Sequence, residues 1–158
     1  MVFDKLDIEY IYEPETFELY HNQRKFGYLI DFFLPNQHRF IEIKNMGSIV
    51  PTYNECLKAK CLAEQHPERV PCSILYGPIS NTQNIKYGSA RTYFPDGTIQ
   101  MPQLLTECPR CNYIDFCTDG IIADLSCECI QDFPEESNYM SHKIVSVLSE
   151  VRKHRFWK

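Results

Sequence analysis

Residues 28–44 read Y-L-I-D-F-F-L-P-N-Q-H-R-F-I-E-I-K, and this stretch decides the fold. Tyr28 to Leu34 is an apolar, aromatic run interrupted by Asp31. Arg39 to Lys44 alternates Phe40, Glu42 and Lys44 against Ile41 and Ile43. Pro35 to His38 is turn chemistry, so the two runs are expected to form a hairpin. If Leu34 stands opposite Arg39, Asp31 faces Glu42, with opposed Cβ atoms about 4.5–5.5 Å apart. Glu42 and Lys44 are two positions apart and share one face of their strand. Two carboxylates and an ammonium then converge.

Such convergence destabilises a hairpin, because opposed like charges repel and crowded carboxylates raise each other's pKa. A divalent cation between the acids removes the penalty, and oxygen ligands suit a hard ion such as Mg²⁺. A neighbouring lysine can hold a water or a phosphate oxygen. These parts fit metal-assisted phosphodiester hydrolysis. A solvated hairpin could carry the same residues, but L-I-D-F-F-L and F-I-E-I-K are too apolar for that, and a buried acid needs a partner.

Outward from the hairpin, Ile8 to Tyr12 alternates as a strand and stops at Pro14, and Phe17 to Tyr20 is expected to be another. Thr52 and Glu55 form a capping box that opens a helix ending at His66-Pro67. Val70 to Tyr76 is a short apolar run that fits a buried strand. Strand, helix and strand make a right-handed crossover, so the sheet mixes an antiparallel hairpin with a parallel pair. Pro95-Asp96-Gly97 marks a further hairpin turn. Lys58 and Lys60 follow the acids and are candidates for phosphate contact.

Eight cysteines occur, five of them within residues 108–129. Cys108 and Cys111 form C-x₂-C, Cys127 and Cys129 form C-x-C, and fifteen residues separate the pairs. Asp119-Gly120 supplies a turn between Tyr113–Cys117 and Ile121–Leu125, read as two short strands that bring the pairs together. Four thiolates so arranged suit Zn²⁺, whose binding supplies folding energy to a segment with little core. A rival chemistry is an iron–sulfur cluster on Cys108, Cys111 and Cys117.

The chain has 158 residues and a net charge of −5, which argues against a protein that coats nucleic acid generally. The cationic exception is the end: Arg152, Lys153, Arg155 and Lys158 stand without an acid among them, on a segment helical from Ser141. No run of about 18 apolar residues exists, so no membrane span is expected. With no export signal, a cytoplasmic, reducing setting is expected, in which cysteines bind metal more readily than they form disulfides.

In the order of its pieces the chain resembles the PD-(D/E)XK nuclease superfamily. Ile30-Asp31 stands where Pro-Asp is usual, and Glu42-Ile43-Lys44 is the E-x-K. Y-E-P-E-T-F-E-L, K-A-K-C-L-A-E-Q, S-I-L-Y-G-P-I and V-R-K-H-R-F-W-K are similar to a phage-type subgroup. In that subgroup a small zinc ribbon and a basic C-terminal helix follow the nuclease core. The resemblance implies a restriction-endonuclease-like α/β core, a mixed sheet flanked by helices, over residues 1–100. It implies a zinc ribbon over 101–135 and a basic helix over 136–158 that packs back on the core.

The implied activity is that of a Mg²⁺- or Mn²⁺-dependent deoxyribonuclease. Asp31, Glu42 and the carbonyl of Ile43 would hold the ion, and Lys44 would orient or activate water. Zinc would be structural on Cys108, Cys111, Cys127 and Cys129. DNA would be gripped by Lys58, Lys60, Arg152, Lys153 and Arg155. Similar proteins carry a further catalytic glutamate on a helix just before a segment like V-F-D-K-L-D-I-E-Y. Here Met1-Val2-Phe3 stands near the end of that helix, and Glu13 and Glu15 are the nearest substitutes. Iron–sulfur relatives also use a cysteine ahead of the core, and none precedes Cys56. Two other classes stay open: a nucleic-acid- or protein-binding module without turnover, and an accessory or adaptor subunit, with a homodimer or a host or phage protein as partner.

Overall fold

The structure is a computed structural model that describes residues 2–44, 51–75, 90–129 and 141–153. A one-turn helix, α1 (Val2–Lys5), leads to β1 (Ile11–Tyr12). A hairpin of β2 (Thr16–His21) and β3 (Arg24–Leu29) follows. Its turn residues Asn22 and Gln23 both have positive φ, 48° and 64°, the two-residue geometry that matches strand twist. Next come β4 (Phe32–Leu34), β5 (Arg39–Ile43), α2 (Tyr53–Gln65) and β6 (Cys72–Leu75). The remaining strands are β7 (Ala90–Tyr93), β8 (Ile99–Glu107) and β9 (Ile114–Thr118). A 3₁₀ turn over Ile122–Asp124 and the helix α3 (His142–Lys153) complete the described elements.

Among the described residues the fold is α+β, with one mixed sheet in the order β1-β4-β5-β6-β7-β8-β9 and the β2–β3 hairpin apart. The central hairpin closes with Leu34 opposite Arg39 and Phe32 opposite Ile41. β5 and β6 are parallel, joined by α2, and every other neighbouring pair in the sheet is antiparallel. α2 begins on the expected capping box: Thr52 accepts from the Glu55 N–H, and the Glu55 carboxylate accepts from the Thr52 N–H at 2.6 Å. It ends at His66 before Pro67. No helix of the described residues is long and apolar enough to cross a membrane.

Strand alternation divides the core in two. Phe40, Cys72, Ile74 and Tyr93 face α2 and the β2–β3 hairpin, packing with Leu19, Tyr28, Ala59 and Leu62. Phe32, Leu34, Ile41, Leu75 and Ala90 face α1 and α3, packing with Phe3, Leu6, Ile144 and Leu148. Only Ile11 and Tyr12 of the expected strand at 8–12 pair with the sheet, opposite Phe33 and Phe32; Ile8 is buried in the second core instead.

The sheet curls until β9 meets the β4–β5 turn, where Gln37 Nε2 donates to the Ile114 carbonyl at 2.8 Å. Inside the curl, Arg39 is 6% exposed. Its Nη1 donates to Ser73 Oγ at 2.9 Å, Thr92 Oγ1 at 3.1 Å and Gln103 Oε1 at 3.3 Å. Its Nε lies 3.2 Å from Asp115 Oδ1, and the guanidinium covers the Phe116 ring. One side chain of β5 thus reaches β6, β7, β8 and β9.

The region expected to be a separate ribbon is continuous with this sheet. The expected boundary at 100–101 falls inside β8, and β8 pairs with β7 on one side and β9 on the other. The expected strand at Ile121–Leu125 is corrected to the 3₁₀ turn: Asp124 Oδ2 accepts the Thr118 N–H at 3.0 Å and folds the chain back after β9.

Arg39→Met leaves Asp115 buried without a countercharge, so it is expected to destabilise the chain by about 3–5 kcal/mol. Combining it with Asp115→Leu should recover most of that loss. Urea unfolding of the three proteins checks both outcomes.

Candidate functional site

β5 carries two buried charges, Arg39 in the curl and Glu42 near its C-terminal end. Alternation from Phe40 turns Glu42 toward α2, opposite Ile74 of β6. Glu42 is 5% exposed. Its Oε1 pairs with Lys44 Nζ, whereas Oε2 is buried without a hydrogen-bond partner. The Tyr28 hydroxyl lies beside the carboxylate, and its hydrogen bond favours the charged form. Burial holds the Glu42 carboxyl above its ordinary range; the Lys44 hydrogen bond opposes this, and the charge of Asp31 adds to it.

Asp31 is brought to the same place by a different contact from the one expected. The hairpin ladder ends at Phe32, so Asp31 does not stand in a cross-strand pair with Glu42. Asp31 lies in a bend, and its Oδ2 accepts the Ile43 N–H at 2.7 Å. Its carbonyl accepts the Glu13 N–H at 2.8 Å, which ties the bend to the end of β1. In a strand the N–H and C=O of one residue leave on the same edge. The Ile43 carbonyl therefore leaves β5 on the Asp31 side.

Lys44 sits between two acids. Besides Glu42, its Nζ lies 3.8 Å from Glu55 Oε1. Burial works against the ammonium, but the hydrogen bond and charge of Glu42, followed by the charges of Glu55 and Asp31, outweigh it and raise the Lys44 pKa. Lys44 is thus a retained cation. Glu55 was legible in the sequence only as a capping residue. The signal for its approach to Lys44 is topological: a crossover helix that follows β5 starts at the C-terminal end of β5, where the E-x-K lies.

Glu42, Lys44, Asn54, Glu55 and Lys58 line a cavity of about 300 Å³, closed on the far side by Gly27, Tyr28 and Leu29 of β3. Lys58 is one helical turn beyond Glu55 and holds its Nζ over the Tyr28 ring, 5.8 Å from the centroid. Lys60 does not line this cavity; it lies near Glu64, 3.7 Å away. Glu13 reaches the Asp31 edge through its backbone, and its carboxylate accepts the Tyr12 hydroxyl at 2.7 Å. Glu15 is exposed and acts electrostatically on His66. Arg152 and Lys153 belong to the last turn of α3, and Arg155 lies outside the described residues.

The second candidate centre is the cysteine cluster. The Sγ atoms of Cys108, Cys111, Cys127 and Cys129 all lie within 4.8 Å of one another. Tetrahedral zinc with Zn–S near 2.3 Å sets its sulfurs about 3.8 Å apart, so the four could hold a structural metal such as zinc. Cys108 follows directly on β8; its N–H donates to the Tyr113 carbonyl at 2.8 Å, and its own carbonyl accepts the Asn112 N–H at 2.9 Å. Burial opposes ionisation of Cys108, but the backbone N–H groups of Cys111 and Arg110 overcome it and bring its thiol down to about 7. Burial and the neighbouring thiols push Cys127 up to about 12, and the Cys111 thiol and burial raise Cys129, so the thiolate character falls on Cys108. Cys117 is excluded from the group: it is buried on β9 and burial pushes its thiol up to about 12. The spacing Cys108, Cys111, Cys117 therefore does not come together as an iron–sulfur set.

Elemental analysis is expected to find about one zinc per chain, held by four thiolates. Stripping it with a strong chelator, or replacing Cys108 by Ser, should lower stability by several kcal/mol, read as a fall in thermal midpoint. A metal-free chain of unchanged stability would contradict the assignment.

No family model matches the chain, and neither a curated protein nor a solved structure matches it.

Proposed function

We propose that this chain is a metal-dependent nuclease acting on DNA, built on a restriction-endonuclease-like core with a structural zinc centre. The observation that carries the reading is the unpartnered Oε2 of a 5%-exposed Glu42, whose other oxygen pairs with Lys44, on the strand end that Asp31 reaches through the Ile43 N–H. A buried carboxylate oxygen without a partner costs about 1–3 kcal/mol or more, and a cation is the partner its chemistry suits. The mixed sheet, with an antiparallel β4–β5 hairpin and a parallel β5–β6 pair joined by α2, supports the same reading.

The donor set fits a hard divalent ion: carboxylate oxygens from Asp31 and Glu42 and the carbonyl of Ile43. Such an ion, when bound, supplies Lewis-acid polarisation of the phosphate and lowers the pKa of the attacking water. Asp31 is pre-set for the task, because the Ile43 N–H fixes one oxygen and leaves the other available. Lys44 keeps its proton and so serves as a donor, orienting the water or a non-bridging phosphate oxygen. Lys58, on the same cavity wall, is placed to meet a flanking phosphate. Hydrolysis forms the new P–O bond from water and breaks the ester bond, and the proton that the water gives up passes through solvent to the departing alkoxide.

One observation favours a second reading, an adaptor or binding module without turnover. Lys44 already neutralises Glu42, so the site is partly satisfied without an ion. The net charge of −5 points the same way.

The test is an incubation with duplex, branched and single-stranded DNA in Mg²⁺, Mn²⁺ or EDTA. Cleavage is expected with either metal and not in EDTA. Asp31→Ala and Lys44→Ala should each reduce it by about 10²-fold or more. Binding without cleavage would favour the module, and neither would favour the adaptor.

A further inference from the structure

Glu55 uses its two oxygens for two purposes. Oε2 accepts the Thr52 N–H at 2.6 Å, which fixes the carboxylate at the start of the helix. Oε1 is turned to Lys44 Nζ at 3.8 Å, too far for a hydrogen bond and near enough for strong attraction in a half-buried site. Lys44 thus has one carboxylate in contact, Glu42, and a second within a short movement. The four-carbon stem of lysine makes that movement easy.

Glu42 cannot serve Lys44 and a divalent ion equally, since the ammonium and the ion repel each other. We propose that Glu55 is a positioning residue that receives the Lys44 ammonium when the Glu42 carboxylate turns to a divalent ion. The inference rests on the reading of Asp31 and Glu42 as metal ligands. It adds a residue to that site and gives Lys44 two stations. In the first the ammonium neutralises Glu42, and the buried acid is tolerated without an ion. In the second it rests against Glu55, on the cavity wall shared with Asn54 and Lys58, where a phosphate would enter. Because the crossover places the first turn of α2 at the end of β5, the second station is built into the helix cap and needs no rearrangement of the backbone.

The experiment is a double-mutant cycle on Mn²⁺ affinity, measured by electron paramagnetic resonance on the zinc-loaded full chain. Glu55→Gln suits it, because glutamine also completes a capping box and the helix start is kept. Glu55→Gln should weaken Mn²⁺ binding roughly tenfold, the size typical of coupled contacting residues. In a Lys44→Met background the same change should have less than about a twofold effect, since Glu55 then has no ammonium to receive. An equal loss in both backgrounds would mean that Glu55 acts only as a nearby negative charge, and no loss in either would mean that it does not act; each overturns the proposal. If Mn²⁺ binding to the unmodified chain is insensitive to Asp31→Ala, the metal reading itself fails, a result distinct from both. As a check free of substitutions, the Lys44 side-chain ¹⁵N resonance should move when Mg²⁺ is added. A signal that stays in place would also overturn the exchange.

Discussion

The sheet depends on one buried cation. Arg39 projects into the curl and meets Ser73, Thr92, Gln103 and Asp115, one residue from each of the four strands that follow β5 in the sheet order. A desolvated guanidinium is tolerable only where its charge and its donors are matched, and here a carboxylate and three polar oxygens are waiting. The arrangement makes closure of the curl and burial of Arg39 the same event. Three residues along the strand, Glu42 is buried just as deeply and is left with an oxygen unmatched. Arg39 has a countercharge in Asp115 and three oxygen acceptors, whereas Glu42 has its countercharge, Lys44, on one oxygen only.

The cysteine centre is tied into the same frame. β8 supplies Gln103 to Arg39, ends at Glu107 and passes straight into Cys108. Glu107 in turn is hydrogen-bonded by Ser141, the residue just before α3. A metal held by the four thiols would therefore brace the end of β8, the β8–β9 hairpin and the approach to α3 together. Such a metal would order a segment whose own buried core is only Cys108, Cys117 and Leu125.

What could be read from the sequence was local or strictly periodic. The register of β4 on β5 follows from a four-residue turn and strand alternation, and Leu34 does stand opposite Arg39. The cap of α2 follows from T-x-x-E, and the sulfur cluster from the spacing of its two pairs. What could not be read depended on distant neighbours. Arg39 finds partners 34 to 76 positions away, which no local pattern reports. Asp31 stands outside the cross-strand ladder, where the Glu13 N–H takes its carbonyl and the Ile43 N–H takes its carboxylate. Ile121–Leu125 has the composition of a strand, but Asp124 accepting the Thr118 N–H folds it into a turn. Glu55 reads locally as a capping residue, and its approach to Lys44 depends on where the crossover sets the start of α2.

The account stands on the pair of acids at the end of β5 accepting a divalent ion. Crystals grown with Mn²⁺ and measured at a wavelength where manganese scatters anomalously test it most directly. One anomalous peak is expected between Asp31 and Glu42, at metal–oxygen distances of about 2.0–2.3 Å, with Lys44 no longer on Glu42. Density showing the Glu42–Lys44 pair intact at saturating Mn²⁺, with no peak beside Asp31, would contradict it.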